Sequence, residues 1–174
     1  MATTSSNINK YNLNMIYLSS MINELVPKLE NNNGLAIFVE NKAKFEGWLK
    51  VELCGILSKY FSTVIPEKDR IDIVFNDWAM ELKTVNTNYE FENVVNKTCP
   101  ITENIGNIIS DIEKLKSTPY PNKAIVFVVF PVKHNNSKWK EHLAKIEKKL
   151  NGNIMYREFN FKNGVPGVIY FGLV

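Results

Sequence analysis

The stretch from Arg70 to Lys83 reads RIDIVFNDWAMELK and contains two β-rich runs separated only by Asn76 and Asp77. Two turn-forming residues between runs rich in Val, Ile, Phe and Trp predict a β-hairpin with a tight turn. In such a hairpin Phe75 pairs with Trp78, and counting outward from this pair sets the register of both strands. The hairpin is therefore the segment from which the rest of the fold is worked out.

The same register places Asp72 on one strand directly opposite Glu81 on the other. Directly opposed side chains have Cβ atoms about 5 Å apart, and like charges at that distance are destabilising. A divalent cation is the simplest way to offset the repulsion, because carboxylate oxygens are hard ligands. Lys83 lies two residues beyond Glu81 and therefore on the same face of its strand. We expect these three side chains to form one site.

A predicted helix before the hairpin carries a third acid. Its apolar stripe consists of residues at helical spacing, namely Phe45, Trp48, Leu49, Leu53, Ile56, Leu57 and Tyr60. Glu52 falls near the middle of this stripe, and a Glu facing the core is costly unless it is paired or bound to metal. We therefore prefer Glu52 to Glu46, which lies on the flank of the stripe, as the third acid of the site. The equally weighted alternative for Glu52 is a helix phase other than the one assumed here, or a structural salt bridge.

Helices and strands alternate along the rest of the chain. Apolar residues at helical spacing predict helices over residues 15–29, 101–115 and 139–150. Runs of β-forming residues predict strands over residues 124–130, 154–161 and 165–174, and residues 63–67 form a short extended piece. This order predicts an α/β protein with a mixed central sheet flanked by helices on both faces.

The sequence gives weaker signals for the N-terminal part of the chain and for domain boundaries. Residues 1–13 are polar and predict a loose arm, and residues 35–39 fit either a strand or a helix. We find no internal repeat and no linker. The chain is therefore expected to form a single domain over residues 1–174, with an N-terminal arm and helix over 1–34 and a core over 35–174.

Composition bounds the class of protein. The 174 residues, 45% hydrophobic and 22% charged, suit a globular domain with a real core and exclude disorder as a description of the whole chain. Two cysteines indicate a reducing compartment, and the longest apolar run, residues 124–130, is too short to cross a membrane. We expect a cytoplasmic protein with no membrane partner and no organic cofactor. The formal net charge of +3 permits a polyanionic partner without requiring one.

The acid-bearing helix, Asp72 on one strand and Glu81-x-Lys83 on the next resemble the PD-(D/E)xK phosphodiesterase superfamily, which has the restriction-endonuclease-like fold. The resemblance spans about residues 45–131 and includes the core order α-β-β-β-α-β. It implies that Asp72, Glu81 and Glu52 bind Mg²⁺, with Mn²⁺ as a substitute. It also implies that Lys83 orients or helps to deprotonate the attacking water. Ile71 stands where the motif's name has a proline.

The tripeptide acid-x-Lys carries little information by itself, because it also occurs at residues 40–42 and 147–149. Only residues 81–83 lie on a predicted strand with an Asp on the partner strand and an acid-bearing helix before it. The context of the tripeptide therefore supports the resemblance.

The resemblance implies a metal-dependent nuclease that hydrolyses phosphodiester bonds of DNA, an endonuclease of restriction or repair type. A homodimer would supply the two sites needed to cut both strands. One alternative is a non-catalytic nucleic-acid- or protein-binding subunit of the same fold. Another is an unrelated α/β protein with a chance motif, in which Asp72 and Glu81 would lie on different faces. Lysines make the helix over residues 139–150 basic, with a solvated face as the default interpretation over a phosphate-binding surface.

Overall fold

A computed structural model describes residues 3–174 of the chain and, from Ile16 onward, their side chains. Over these residues the chain forms an α/β structure with five α-helices and a six-stranded sheet. The helices are α1 (Thr3–Asn31), α2 (Asn33–Glu40), α3 (Glu46–Leu57), α4 (Ile101–Ser117) and α5 (Ser137–Glu147). The strands are β1 (Val64–Pro66), β2 (Ile73–Phe75), β3 (Trp78–Asn86), β4 (Asn122–Phe130), β5 (Met155–Asn160) and β6 (Pro166–Leu173).

The six strands form one open mixed sheet in the order β1-β2-β3-β4-β6-β5. Strands β3 and β4 are parallel, whereas the other neighbouring pairs are antiparallel. Helix α4 provides the long crossover that parallel neighbours require. The continuous apolar run of residues 124–130 lies in β4 and is buried on both faces of the sheet, as that pattern predicts.

Helices cover both faces of this sheet. On one face α1, α2 and α3 pack against alternate strand residues such as Met80 and Leu82. On the opposite face α4 and α5 pack against residues such as Ile125. Because successive side chains of a strand point to opposite faces, Glu81 and Lys83 lie on the face covered by α4 and α5. The predicted mixed sheet with helices on both faces is confirmed.

The β2–β3 hairpin has the register that the sequence predicts. Phe75 pairs with Trp78 across a turn of Asn76 and Asp77, and the next pairs follow in step as far as Ile73. Asn76 has a φ of 44°, in the left-handed region that Asn tolerates better than most residues. The turn therefore fixes which strand residues face each other at the candidate site.

The structure corrects the prediction for one N-terminal segment and decides between the two alternatives for another. Helix α1 begins at Thr3, so the prediction of a loose arm is wrong for residues 3–13, while residues 1 and 2 lie outside the described chain. A helix that is already formed extends at little cost, and the apolar turns of α1 that pack on the sheet provide that start. Residues 35–39 belong to α2, whose first turn is capped by the side chain of Asn32 on the backbone N–H of Leu35 (3.0 Å).

Both cysteines are free thiols, Cys54 half-buried and Cys99 buried. They lie in separate parts of the fold, Cys54 in α3 and Cys99 in the loop before α4. No helix in the described part of the chain is long and apolar enough to cross a membrane.

Candidate active site

Asp72 and Glu81 lie side by side where β2 meets β3. Asp72 directly precedes β2, and Glu81 is in β3. Their carboxyl groups are hydrogen-bonded to each other, and Glu81 is only 2% exposed. The structure thus brings the two predicted carboxyl groups together on one face.

The two carboxyl groups hold one proton between them at neutral pH. Burial, and then the hydrogen bond with Asp72, raises the pKa of Glu81 to about 8. Burial also opposes ionisation of Asp72, but hydrogen bonds from Glu81, Lys50 and the backbone of Leu82 hold the pKa of Asp72 below its ordinary value. Protonated Glu81 therefore donates to the Asp72 carboxylate, and the shared proton relieves their repulsion.

Asp72 has partners on both of its oxygens. Its Oδ1 lies 2.8 Å from Lys50 Nζ, and its Oδ2 accepts a hydrogen bond of 2.9 Å from the backbone N–H of Leu82. Lys50, from α3, also lies 3.0 Å from Glu67 Oε1. Asp72 is therefore anchored to its neighbouring strand and to α3.

Lys83 lies between two carboxylates from two different helices. Its Nζ is 2.8 Å from Asp111 Oδ2 on α4 and 3.6 Å from Glu46 Oε1 on α3. Burial favours the neutral amine, but the hydrogen bond to Asp111 and the negative charges of Asp111 and Glu46 outweigh it and raise the pKa of Lys83. Lys83 therefore carries its positive charge at neutral pH.

Glu46 reaches the site because it begins α3. The backbone N–H of Thr84 donates to Glu46 Oε2 over 3.2 Å, which fixes the carboxylate beside β3. A carboxylate in the first turn of a helix is also favoured by the helix dipole. Lys50 lies four residues later on the same side of α3, so one stripe of this helix contributes both a carboxylate and an ammonium group to the hairpin.

Glu52 does not join this cluster, which corrects the preferred assignment of the helix acid. Its side chain is 26% exposed and forms an ion pair of 2.7 Å with Lys28 on α1. At about 100° per residue, Glu52 lies about 120° around α3 from Glu46, and it points towards α1. The prediction that Glu52 faces the core is wrong, and the alternative of a structural salt bridge describes it.

Helix α4 contributes two charges that match the two charges of β3. The ammonium group of Lys114 lies against Glu81 Oε1, and Asp111 pairs with Lys83. Residues two apart on a strand are separated by about 7 Å, and residues three apart on a helix by about 5–6 Å, so the two spacings match closely enough for both pairs to form. The acid and the base of the Glu81-x-Lys83 motif therefore each lie against a side chain of the opposite type on α4.

A cleft of about 320 Å³ gives access to the cluster. It is lined by Lys44, Glu46, Lys83, Asn107, Ser110 and Asp111. Its walls therefore offer two ammonium groups, two carboxylates, an amide and a hydroxyl group. The cleft reaches Lys83 directly, whereas Glu81 is buried next to Lys114.

Three charged residues of the cluster, Lys50, Asp111 and Lys114, were not among the sequence candidates. A signal for the α4 pair was present in the sequence. Polar residues recur three and four apart along one flank of the apolar stripe, at Asn104, Asn107, Asp111 and Lys114. Asn104 in this series is only 2% exposed, so the flank is turned towards the sheet.

Asp72 and Glu81 are the neighbouring carboxyl groups that a hard divalent cation would use at this site. Among the residues that the structure describes, no donor is directed at the buried Glu81 Oε1 with hydrogen-bond geometry, although the Lys114 ammonium group lies against it. Within the described residues, no group of three or more His, Cys, Asp or Glu side chains is arranged to hold a metal ion. Mg²⁺ often uses only one or two carboxylates, keeping water and substrate phosphate oxygens as its other ligands. Asp72 and Glu81 would be the two carboxylates of such a site.

Comparison of the chain with protein-family models, with curated proteins and with solved structures finds no match. The case for a function therefore rests on the residues and their geometry.

Proposed function

We propose that this protein is a metal-dependent nuclease of restriction-endonuclease-like fold that hydrolyses phosphodiester bonds of DNA, an endonuclease of restriction or repair type. The observation that carries the proposal is the pairing of Asp72 with Glu81, beside Lys83 on the same strand face. Two neighbouring carboxyl groups lie on the same strand face as a lysine, and this lysine lines a cleft that also holds Lys44, an arrangement that suits the hydrolysis of an anionic ester.

The order of elements around the site gives further support. From α3 to β4 the chain runs helix, three strands, helix, strand, with β1, β2 and β3 antiparallel and β4 parallel to β3. This is the α-β-β-β-α-β core order that the resemblance implies. Asp72 directly precedes the second strand of that order and Glu81 and Lys83 lie on the third, which agrees with the PD-(D/E)xK pattern.

In the proposed reaction each residue has a distinct role. Asp72 and Glu81 would hold Mg²⁺, which would lower the pKa of a water molecule and offset the charge that builds up on the phosphate. Lys83 is held protonated by Asp111 and Glu46, so it acts as a cation for a phosphate oxygen and orients the water rather than accepting a proton. Because Glu81 is the protonated acid of the pair, it must lose that proton before it can bind a metal.

Substitution of the three motif residues tests the proposal. Asp72→Ala, Glu81→Ala and Lys83→Ala should each keep the fold and lose at least about a hundredfold of cleavage rate, as expected when a catalytic group is removed. The assay uses supercoiled, linear, single-stranded and branched DNA with Mg²⁺, Mn²⁺ or EDTA. Glu52→Ala is the matched control, since this acid pairs with Lys28 outside the cluster, and it should cut like the wild type. If all four variants cut DNA as fast as the wild type, the assignment of Asp72, Glu81 and Lys83 to the active site is wrong.

A non-catalytic DNA- or protein-binding subunit of the same fold is the second candidate, and one observation favours it. Glu81 keeps a proton and donates to Asp72, and Lys83 is paired with Asp111, so the cluster needs no ligand to balance its charges. Titration with Mn²⁺ separates the two functions. The nuclease takes up the metal and loses this uptake in Glu81→Ala, whereas the binding subunit takes up none.

A further inference from the structure

The cleft beside the motif follows α4 and has a lysine towards each end. Asp111, which pairs with Lys83, and Asn104, which holds Lys44, lie seven residues apart on this helix. Seven residues are close to two turns of an α-helix, so both side chains lie on the same side of α4, about 10 Å apart along its axis. Polar residues of α4 between them also line the cleft. The cleft is therefore elongated, with one lysine near the motif and the other about two helical turns away.

The ammonium group of Lys44 is held in place by a chain of buried amides. Its Nζ donates to Asn104 Oδ1 over 2.7 Å. Asn104 is 2% exposed, and its Nδ2 donates to the backbone carbonyl and to Oδ1 of Asn86, over 3.4 and 3.3 Å. Asn86 Nδ2 donates in turn to the backbone carbonyl of Lys42 over 2.7 Å. Buried amides are costly unless they are hydrogen-bonded, so this chain gives Lys44 a firm anchor.

Lys44 differs from the lysines of the cluster because its anchor is neutral. Lys50, Lys83 and Lys114 each lie against a carboxyl group. No carboxylate of the described residues lies within ion-pair distance of Lys44, and the two that line the cleft pair with Lys83 instead. An ammonium group has three donors, of which Asn104 takes one. Since ordering an exposed lysine costs side-chain entropy, a fixed ammonium group without an anionic partner suits an anionic ligand.

We propose that the cleft holds one strand of DNA along α4, and that Lys44 binds a phosphate of this strand other than the one attacked beside Lys83. The inference rests on the proposed function and deepens it, because it adds a second phosphate position to the site. Two anchors about 10 Å apart suit two phosphates of one strand better than a single phosphate, which accepts hydrogen bonds of about 2.9 Å. Asn104 is then the residue that positions Lys44.

A purely structural role for Lys44 makes a different prediction. In that role the lysine and the amides only tie α4 to the end of β3 and to the loop before α3. Loss of the ammonium group would then lower the free energy of unfolding and leave the affinity for DNA unchanged. The affinity for individual phosphates therefore distinguishes the two roles.

Lys44→Gln, Lys44→Arg and the control Lys59→Gln test the inference. Lys59 pairs with Glu24 on the side of α1 and α3, so its substitution makes the same charge change away from the cleft. Binding of a duplex oligonucleotide is measured by fluorescence anisotropy on the Glu81→Ala background, with EDTA or Mg²⁺, and urea unfolding checks the fold. We expect Lys44→Gln to bind roughly fivefold to tenfold more weakly than its parent. Lys44→Arg should stay within about threefold of the parent, and Lys59→Gln within about twofold.

A scan of the DNA backbone shows whether Lys44 contacts one phosphate directly. Each phosphate in turn is replaced by a neutral methylphosphonate. At the phosphate that Lys44 binds, the replacement should weaken binding by the parent roughly fivefold to tenfold and leave Lys44→Gln unaffected, because its contact is already lost. At every other position both proteins, and Lys59→Gln, should lose equally. Additive losses at all positions, or a Lys44→Gln variant that binds like its parent, would overturn the inference.

The outcomes also separate this inference from the proposed function. If the wild type cuts DNA but no phosphate is coupled to Lys44, the nuclease stands and the role of Lys44 is wrong. If one phosphate is coupled to Lys44 but no substrate is cut with any metal, the strand position stands and the protein is a binding subunit. If the protein binds no DNA, both proposals fall.

Discussion

At the scale of single residues, Glu81 is the side chain whose environment departs most from what its type prefers. A carboxyl group that is 2% exposed would be costly as an isolated anion. It is tolerated here because it keeps a proton, donates to Asp72 and lies beside Lys114. Groups with such raised pKa values beside a specific charge partner are concentrated at functional sites, which is why Glu81 is the centre of the proposed site.

Glu81 should make the stability of the folded protein depend on pH. Between the ordinary pKa of Glu, 4.5, and the folded value of about 8, the folded protein holds a proton that the unfolded chain has released. The free energy of unfolding therefore falls as the pH rises through this window, by up to about 1.4 kcal/mol per pH unit. Glu81→Gln, which stays neutral and can still donate to Asp72, should remove this slope. Urea unfolding at pH 5, 6, 7 and 8 measures it.

The exposed residue Glu92 provides the control for this experiment. Glu92→Gln removes the same charge at the surface, and its stability should follow that of the wild type at every pH. Parallel curves for wild type and Glu81→Gln would show that Glu81 ionises in the folded protein with an ordinary pKa, contrary to the environment described above.

Single residues also show how far local sequence patterns can predict the candidate site. Alternation along two strands and a two-residue turn were enough to bring Asp72, Glu81 and Lys83 together, because both rules act over a few residues. The choice between Glu46 and Glu52 depended on which side of α3 faces the hairpin. That side is set by how α3 packs between α1 and the sheet. The apolar stripe of α3 is wide enough to include Glu52, so the stripe does not show which side of the helix faces the hairpin.

At the scale of secondary-structure elements, the C-terminal strands are held by close packing around Gly167. A Cβ atom at this position in β6 would lie 2.6 Å from Phe159 Cζ and 2.9 Å from Phe161 Cε2. Both rings are buried, so neither can move aside freely. The approach of β6 to the aromatic residues at the sheet edge thus requires a residue without a side chain.

Gly167→Ala should therefore destabilise the protein by about 1–3 kcal/mol, the range found when a well-packed core is overfilled. Gly106→Ala is the matched control, because nothing lies within 4 Å of a Cβ at this exposed position in α4. The control should stabilise the protein by about 0.5–1 kcal/mol, since Ala favours a helix interior. Urea unfolding of both variants measures the two changes, and a Gly167→Ala variant as stable as the wild type would contradict the packing argument.

The same scale explains what α4 adds to the site. Its apolar stripe was evident in the sequence and is buried as expected. The roles of Asp111 and Lys114 became evident only once α4 lay along β3, because the helix supplies the crossover to β4 and thereby turns its polar flank towards the motif. Residues of α4 and β3 that the crossover brings together are far apart in the chain, so local periodicity cannot predict their contact.

At the scale of the whole molecule, the sheet separates two different surfaces. The face that carries Glu81 and Lys83 is covered by α4 and α5. Exposed lysines line α5 and the residues next to it, namely Lys133, Lys138, Lys140, Lys145 and Lys148. Among the described residues none of these five takes part in an ion pair. In the proposed nuclease, such unpaired cations would suit contact with DNA phosphates.

The double variant Lys138→Gln/Lys145→Gln should therefore bind duplex DNA more weakly and with less dependence on salt. Two lost phosphate contacts lower the slope of log K against log salt by about two. Fluorescence anisotropy on a Glu81→Ala background in EDTA measures binding without cleavage. Lys28→Gln/Lys59→Gln, on the side of α1 and α3, is the control of equal charge and should bind like its parent. Equal losses in both double variants would point to net charge alone, and no loss in the first would make the α5 lysines a solvated face.

The amino-acid sequence by itself determined the kinds and order of the elements from residue 45 onward, the hairpin register and the meeting of Asp72 with Glu81. These follow from rules that act over a turn of helix or a pair of adjacent strands. Only the tertiary structure decided that α1 extends to Thr3, that Glu46 rather than Glu52 reaches Lys83, and that α4 supplies opposite charges to the motif. These features depend on how helices pack across the sheet, where contacts join residues far apart in the chain and no local period records them.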